Sequence, residues 1–497
     1  MRWLKLLILT PVLALGGVPQ PNLVVIVIDD MGWQDTSVPF HTEVTDLNRR
    51  HRTPAMQRLA SEGVKLTQAY ASAVCSPSRI SLLTGMNVAR HGVTNWTLHA
   101  DRGPDNAHPK LTLPDWPHAG LATQSGTPRT VVATPLPAIL KAAGYRTLHV
   151  GKAHFGAIGT PGADPRTLGF ELNVAGHAAG GPGSFLGEKN YSARWRGGEA
   201  HWDVPGLEAY AARGIPLTEA LTLEAVQAVE ASVKNQQPFF LHLAHYAVHA
   251  PWEADSRFIA HYQKLGLSPR EAAHASMVEA VDKSVGDVLD ALDRLGVAAN
   301  TLVILVSDNG SPAELPRNLP LRGHKITPYE GGIRVPALVR WPGRIKSGSV
   351  DTTPVIIEDI FPTLLHAAGL EKSPPVAIHQ KVDGLSWLPL FAASTADSTR
   401  KRFLSRPLIF HYPNFFNGQQ PYSVIRQGDW KLIHSIATGE LELYHLSQDL
   451  GEANNLIHRN PRRAADLASV LSRELRGRGA FMPTFKATGR LCAYPGE

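Results

Sequence analysis

A cysteine, a proline and an arginine at fixed spacing make up the stretch of this sequence best suited to nucleophilic chemistry. Cys75, Pro77 and Arg79 lie within the run of residues 73–85. Proline lacks a backbone donor and presets φ, which suits the first turn of a helix. We therefore expect Cys75 at the start of a helix, where unpaired N–H groups favour an anion, with Arg79 one turn further along. The alternative interpretation is a small buried cysteine beside an ordinary helix start.

Two pairs of oxygen-bearing side chains follow apolar runs that predict buried strands, at residues 22–28 and 301–306. The four side chains are Asp29, Asp30, Asp308 and Asn309. Ligands of open α/β sheets bind at the carboxyl ends of the strands, so these groups are expected at the ligand-binding edge. Their hard oxygen donors are of the kind that Ca²⁺ or Mg²⁺ takes. The sequence has no Cys or His cluster with zinc spacing, and the amide of Asn309 favours a single oxygen-liganded ion.

The order of apolar segments predicts the fold class. Strands and helices alternate up to about residue 370, which is typical of an α/β fold with a large, mostly parallel sheet sandwiched by helices. Beyond residues 393–402, short strands and a helix near 461–477 predict a small antiparallel sheet with a terminal helix. We therefore predict a large domain over 20–370 and a C-terminal subdomain over 371–497.

Composition indicates an exported globular protein. The chain has 497 residues, of which 43% are hydrophobic and 19% charged. Its net charge of +6 is too mild to indicate a nucleic-acid partner, although it fits a basic pocket for an acidic substrate. Residues 1–17 have a basic start, a short apolar core and small residues, the pattern of a secretory signal peptide. No later segment is apolar enough to span a bilayer, so we predict a periplasmic or secreted protein without stable membrane insertion after signal cleavage.

An exported chain with two cysteines invites a disulfide assignment. We reject that pairing because Cys75 belongs to the motif above. Cys492 lies in an irregular tail and is interpreted as a spectator.

The whole run at 73–85 resembles the signature of the type I sulfatases, arylsulfatase-like enzymes of the alkaline phosphatase superfamily. In that family the cysteine is oxidised to formylglycine, and the aldehyde hydrate is the nucleophile. The resemblance covers about 20–370 strongly and 405–456 more weakly. It implies a sulfuric ester hydrolase with two cofactors, one Ca²⁺ ion and a formylglycine derived from Cys75. It also implies a formylglycine-generating maturation enzyme as a partner.

Carried over residue by residue, the resemblance assigns calcium ligation to the four strand-end side chains together with the modified cysteine. The remaining roles fall on Arg79, Lys152, His154, His249 and Lys325. Arg79 would orient the hydrate, and the two lysines would bind the sulfate oxygens. His249 would protonate the leaving oxygen, while His154 would take a proton from the second hydroxyl.

For the substrate we predict a sulfated carbohydrate, either a small molecule or an oligosaccharide, because the expected pocket walls are polar and rich in histidine. Candidate sugar contacts are His177, His245 and His411. A phosphonate or phosphodiester hydrolase on the same scaffold is the alternative enzyme. A non-catalytic sulfoglycan-binding protein would be expected to have lost Cys75 or a calcium carboxylate, and none of them is lost.

Overall fold

A nine-stranded mixed sheet forms the centre of the computed structural model, which describes residues 20–315, 318–392 and 396–497. The predicted signal peptide at 1–17 lies outside the described residues. In spatial order the strands are Ser349–Asp351, Val64–Tyr70, Arg334–Arg340, Thr301–Ser307, Asn22–Ile28, Phe239–Ala244, Arg146–Gly151 and Leu172–Val174. The ninth strand, Val355–Ile356, also pairs with Val64–Tyr70.

The strand Asn22–Ile28 occupies the middle of this sheet, and all seven of its residues are buried. A continuous β-branched run of this kind is typical of a parallel strand covered on both faces. It pairs in parallel with Phe239–Ala244 and Thr301–Ser307, so the carboxyl ends of these three strands meet at one edge. The prediction of a large, mostly parallel sheet is therefore confirmed.

The strand Arg334–Arg340 differs from the expected pattern because it runs antiparallel to both of its neighbours. Residues 308–333 include the loop that carries Lys325, whose backbone N–H donates to Ser311 O at 2.9 Å. Because this segment remains at the edge where Thr301–Ser307 ends, the chain re-enters the sheet from that edge and the next strand runs in the opposite direction.

Helices cover both faces of the large sheet. In chain order the α-helices are Asp46–Arg50, Pro54–Glu62, Cys75–Thr84, Val88–His91, Leu136–Ala142, Glu208–Ala211, Leu217–Lys234, Ile259–Lys264, Pro269–Arg294, Glu330–Ile333, Ile360–Ala367, Asp397–Ser405 and Pro461–Arg478. The longest has a capping box, in which the Ser268 side chain accepts from Glu271 N–H and the Glu271 side chain accepts in return. Among the described residues, no helix has both the length and the apolar character needed to cross a bilayer.

A second sheet confirms the predicted antiparallel unit near the C-terminus. Its four strands, in spatial as well as chain order, are Leu408–Tyr412, Tyr422–Gln427, Trp430–Ser435 and Leu441–His445. The turn between the second and third strands lies at Gly428, whose φ is 58°. Glycine adopts a positive φ without strain because it has no Cβ. The terminal helix Pro461–Arg478 packs its apolar stripe on this sheet through Leu467, Leu471 and Leu475.

The region 96–135 is rich in Pro, Gly, Thr and His, a composition typical of a long loop, but it contains three short strands: Leu111–Thr112, Gly120–Ala122 and Thr130–Val132. The first pairs with Thr484–Phe485 near the C-terminus. Strands of two or three residues are too short to show a periodicity, which explains why the sequence indicates only a loop.

Cys75 and Cys492 are separate buried thiols, as predicted.

Candidate active site

The two acid-bearing turns lie side by side at the carboxyl edge of the large sheet. Ile28 and Ser307 are register partners in adjacent parallel strands, so the residues that follow them are brought together. The backbone N–H of Asp30 donates to Asp308 Oδ1 at 3.3 Å. Asp29 and Asp308 are fully buried, and Asp30 is 2% exposed. Such a cluster of carboxylates requires neighbouring positive charge.

Cys75 is the first residue of the helix Cys75–Thr84 and lies against this cluster, with Sγ 3.6 Å from Asp29 Oδ1. The segment before it is fixed by Ile326 N–H, which donates to Ala73 O at 2.8 Å. Burial raises the pKa of the Cys75 thiol to about 12, although Lys152 and Lys325 oppose the rise. Since the thiolate is the reactive form of cysteine, the unmodified thiol is a poor nucleophile at this position.

Three cations each pair with one of the three carboxylates. Arg79 contacts Asp308 Oδ2 through Nε at 2.9 Å and through Nη2 at 2.8 Å. Lys152 Nζ lies 2.6 Å from Asp29 Oδ2. The remaining pair joins Lys325 Nζ to Asp30 Oδ1, also at 2.6 Å. Arg79 further donates to Lys152 O at 2.9 Å and so links the nucleophile helix to the loop that carries a second cation.

The pKa values of the paired acids differ with their surroundings. Burial raises the pKa of Asp29 to about 7, against the opposing charge of Lys152. At Asp30 burial acts in the same direction, but Lys325 and His249 outweigh it and the pKa falls below its usual range. Additional positive charge beside Asp29 would favour its ionised form.

The donor set fits a hard divalent cation. One ligand atom from each of Asp29, Asp30, Cys75 and Asp308 lies within 4.8 Å of the others. Asn309 is fully buried, and its amide nitrogen donates to Asp30 Oδ1 at 2.7 Å and to Gly310 O at 2.9 Å. Its Oδ1 has no hydrogen-bond partner among the residues that the structure describes. A buried acceptor without a donor, beside three carboxylates, matches the oxygen ligands that Ca²⁺ or Mg²⁺ takes.

Two histidines complete the inner part of the site, and their ring orientations differ. His154 Nε2 donates to Thr97 O at 2.9 Å, so Nδ1 is the lone-pair nitrogen, and it has no partner within the described part of the chain. His249 Nδ1 donates to Ala250 O at 2.7 Å, and its Nε2 lies 3.8 Å from Asp30 Oδ2. Burial lowers the pKa of both rings, that of His249 to about 4. His154 is therefore available as a neutral base.

A pair of glycines that the sequence reading did not single out supports both histidines. A Cβ at Gly180 would lie 2.4 Å from His154 Cε1, and a Cβ at Gly181 would lie 2.9 Å from His249 Nδ1. Any larger residue at Gly180 would displace the ring. The run of glycines in this segment is plain in the sequence, but the sequence does not show which rings these glycines contact.

The inner groups open into a pocket of about 660 Å³. Five predicted site residues line it: Asp30, Cys75, His154, His249 and Lys325. The outer lining includes four aromatic side chains that the sequence reading missed: Trp96, Trp202, Trp252 and Phe416. The lining includes the expected histidines and polar side chains, and the aromatic rings are an addition that the sequence did not indicate.

The three histidines proposed as sugar contacts are not among the residues that line this pocket. His245 is fully buried and its Nε2 bonds to Ser284 Oγ at 2.9 Å, beneath the sheet edge. His411 is buried between Ser423 Oγ and Phe481 O, at 2.8 and 2.7 Å. His177 supports the wall through its backbone, because its carbonyl accepts from His154 N–H at 3.2 Å. We therefore withdraw all three assignments, since none of these rings reaches the pocket.

Comparison with known proteins agrees with this site. The family model described as Sulfatase matches residues 21–370, and that described as N-sulphoglucosamine sulphohydrolase, C-terminal, matches 324–478. A sulfatase of Formosa agariphila is 31% identical and covers 92% of this chain and 88% of its own. The N-acetylgalactosamine-6-sulfatase of Mus musculus is 32% identical over 81% of this chain and 71% of its own.

A similar fold is found in solved structures. The crystal structure of Ps i-CgsB in complex with k-i-k-neocarrahexaose has a TM-score of 0.73 at 24% identity, and the match covers 92% of this chain and 93% of that one.

Proposed function

Because this chain belongs to the sulfatase family and is a sulfuric ester hydrolase of the type I class, we propose that it removes sulfate from an extracellular or periplasmic sulfated carbohydrate. We further propose that it does so with a formylglycine made from Cys75 and one calcium ion. The observation that carries this proposal is the buried Cys75 Sγ, 3.6 Å from a carboxylate and surrounded by three cations.

The charges at the edge of the sheet suit an anionic ester. Three carboxylates and three paired cations sum to zero, and all six side chains lie at one strand edge. One divalent cation held by the carboxylates and Asn309 would bring the site to about +2. It would supply charge neutralisation for the sulfate oxygens. A pocket with that net charge favours a sulfate monoester over a neutral ester.

The side chains divide the remaining tasks among themselves. Lys152 and Lys325 hold their ammonium groups beside Asp29 and Asp30 and bind the sulfate oxygens, while Arg79, held by Asp308, orients the nucleophile. When formed, the aldehyde hydrate supplies two hydroxyls, one for attack on sulfur and one whose deprotonation releases sulfate. His154 Nδ1, for which the described residues offer no hydrogen-bond partner, accepts that proton. His249 Nε2, which lies 3.8 Å from Asp30 Oδ2, delivers a proton to the leaving oxygen from the doubly protonated ring, a form that the nearby carboxylate and a bound sulfate anion favour.

The carbohydrate substrate is supported by the relatives. N-Acetylgalactosamine-6-sulfatase, by its name, acts on a sulfated sugar, and it shares 32% identity over most of this chain. The signal peptide predicted at 1–17 would export the protein to the compartment where sulfated polymers arrive, which supports this substrate class. Oxidation of Cys75 would require a formylglycine-generating enzyme in the same cell.

Mass spectrometry of the tryptic peptide that contains Cys75 tests the proposal directly. Protein purified from a host with the maturation enzyme should show the mass of an aldehyde in place of the thiol, in proportion to its sulfate-releasing activity. Cys75→Ala should abolish turnover, whereas Cys492→Ala is the matched control and should retain it, because Cys492 packs in the distant C-terminal core. Full activity with an unmodified thiol, or faster turnover of a phosphodiester than of a sulfate ester, would contradict the proposal.

A further inference from the structure

Four half-buried aromatic rings surround the opening of the active-site pocket, and they come from four separate segments of the chain. Trp96 follows the helix Val88–His91, and Trp202 ends a short 3₁₀ turn. Trp252 lies shortly after the strand Phe239–Ala244, and Phe416 lies in the loop between the first two strands of the C-terminal sheet. Rings assembled from such distant segments form a built wall rather than a local apolar patch.

Three of the four rings have contacts that fix them in place. Trp96 and Phe416 form an edge-to-face pair with centroids 5.8 Å apart, a favourable arrangement for aromatic quadrupoles. The indole N–H of Trp252 donates to Val248 O at 3.1 Å, and the Arg270 guanidinium lies 4.3 Å from its ring centroid. Rings held in this way offer a rigid surface to a ligand at a small cost in conformational entropy.

The charge of the wall differs from that of the inner site. Of the pocket-lining residues that the structure describes, Lys325 is the single permanent cation, and it is paired with Asp30 at the inner end. The outer lining has the exposed carboxylate of Glu314 and two amides, those of Asn417 and Gln419. A second anionic group on the ligand would meet a carboxylate and aromatic faces here, because Arg270, which lies against Trp252, is not among the described residues that line the pocket.

We propose that this aromatic wall selects an uncharged sugar ring as the alcohol part of the sulfate ester, with Trp96 and Phe416 as its stacking surface. The inference rests on the proposed sulfatase function and specifies its substrate class. The less polar face of a pyranose presents C–H groups that pack on an indole, while its hydroxyls bond to amides such as those of Asn417 and Gln419. A uronic acid next to the sulfated sugar would be disfavoured.

The test compares two sulfated disaccharides that are identical except that the neighbouring sugar is neutral in one and a uronate in the other. The wild type should hydrolyse the neutral compound with at least about tenfold higher kcat/KM. Trp96→Ala and Phe416→Ala should each lower that value about tenfold, the order expected for loss of one aromatic contact, and Trp96→Phe should recover most of it. Phe481→Ala is the matched control, because Phe481 is 36% exposed and lies outside the pocket lining.

Inhibition by inorganic sulfate separates the wall from the inner site. Sulfate contacts only the inner cations, so its inhibition constant should be unchanged in the Trp96 and Phe416 variants. Equal or better hydrolysis of the uronate compound, or unchanged kcat/KM in both alanine variants, would overturn the inference. Weaker inhibition by sulfate in the Trp96 and Phe416 variants, to the same extent as their loss of kcat/KM, would also overturn it. Failure of the sulfatase function itself looks different, because the wild type would then release sulfate from neither compound.

Discussion

Replacing Lys431 by methionine would remove a buried positive charge from the C-terminal sheet. The ion pairs of this lysine connect that sheet to the segment that follows Lys325. Lys431 Nζ lies 3.0 Å from Glu330 Oε1 and 2.8 Å from Glu452 Oε1, and all three side chains are fully buried. Glu452 Oε2 also accepts from Glu330 N–H at 2.7 Å. Glu330 lies five residues after Lys325. The buried network therefore holds the loop of Lys325, the proposed sulfate-binding residue, from outside the large sheet.

The size of the effect follows from what the substitution leaves behind. Burial opposes ionisation of Glu330, but Lys431 and Arg334 outweigh it and hold its pKa at about 2. Burial raises the pKa of Glu452 to about 7 despite Lys431. Without the ammonium group two buried carboxylates would face each other, and removal of one partner from a buried pair typically costs about 3 to 5 kcal/mol. Methionine has nearly the same volume as lysine, so packing contributes little to the loss.

The sign of the pH dependence is also fixed. Loss of Lys431 raises the carboxyl pKa values in the folded state above those in the unfolded chain, so the folded state retains protons over a wider range. The difference in free energy of unfolding between the wild type and the variant should therefore be smallest at about pH 5 and grow as the pH rises toward 8. We expect the full loss of about 3 to 5 kcal/mol only at the upper end.

Urea unfolding followed by circular dichroism at several pH values measures this deficit. The exposed Lys401 provides the matched control, because Lys401→Met removes an equal charge from the surface and should change stability by no more than about 0.5 kcal/mol. The Lys431 variant should also show weaker inhibition by inorganic sulfate, since the loop that carries Lys325 loses its anchor. A loss below about 1 kcal/mol at pH 8, or a deficit that does not change with pH, would refute the reasoning.

Three further predictions concern the metal, the leaving group and a buried acid. Asp308→Ala should lose bound calcium and sulfate release together in metal analysis and activity assays; two zinc ions per active chain would contradict this. His249→Ala should lower kcat on a sulfated sugar by about 10² to 10⁴ but on an activated aryl sulfate by less than about tenfold, because a phenolate leaves without an acid; equal losses would count against the role. Burial raises the pKa of Glu358, which accepts from Asn87 at 2.8 Å, to about 8. Because the carboxyl titrates at 4.5 when exposed, its contribution to stability falls between that pH and about 8, and Glu358→Gln should melt above the wild type by a margin that widens over this range and levels off above it. A constant margin would exclude this cause.

Much of the inner site could be predicted from the sequence because its signals are local. A continuous apolar strand followed at once by Asp29 and Asp30 determines both the burial of the strand and the edge at which the acids emerge. Pro77 and the following residues specify a helix start, so the position of Cys75 at its first turn also follows from short-range constraints. The antiparallel C-terminal strands were likewise predictable, since a Gly-Asp pair between two apolar runs indicates a hairpin.

The outer site was decided by the tertiary structure alone. The family resemblance singled out His154 and His249, but among 22 histidines no local pattern shows that these two line the pocket while His245 and His411 are buried beside serines. Trp96 and Phe416 lie 320 positions apart and meet only because the C-terminal sheet packs beside the catalytic edge. Loops have no periodicity from which the direction of a side chain can be inferred, and their rings are fixed by contacts with segments distant in sequence. The strand ends therefore encode the sulfate chemistry locally, whereas the surface that meets the rest of the substrate exists only after the chain has folded.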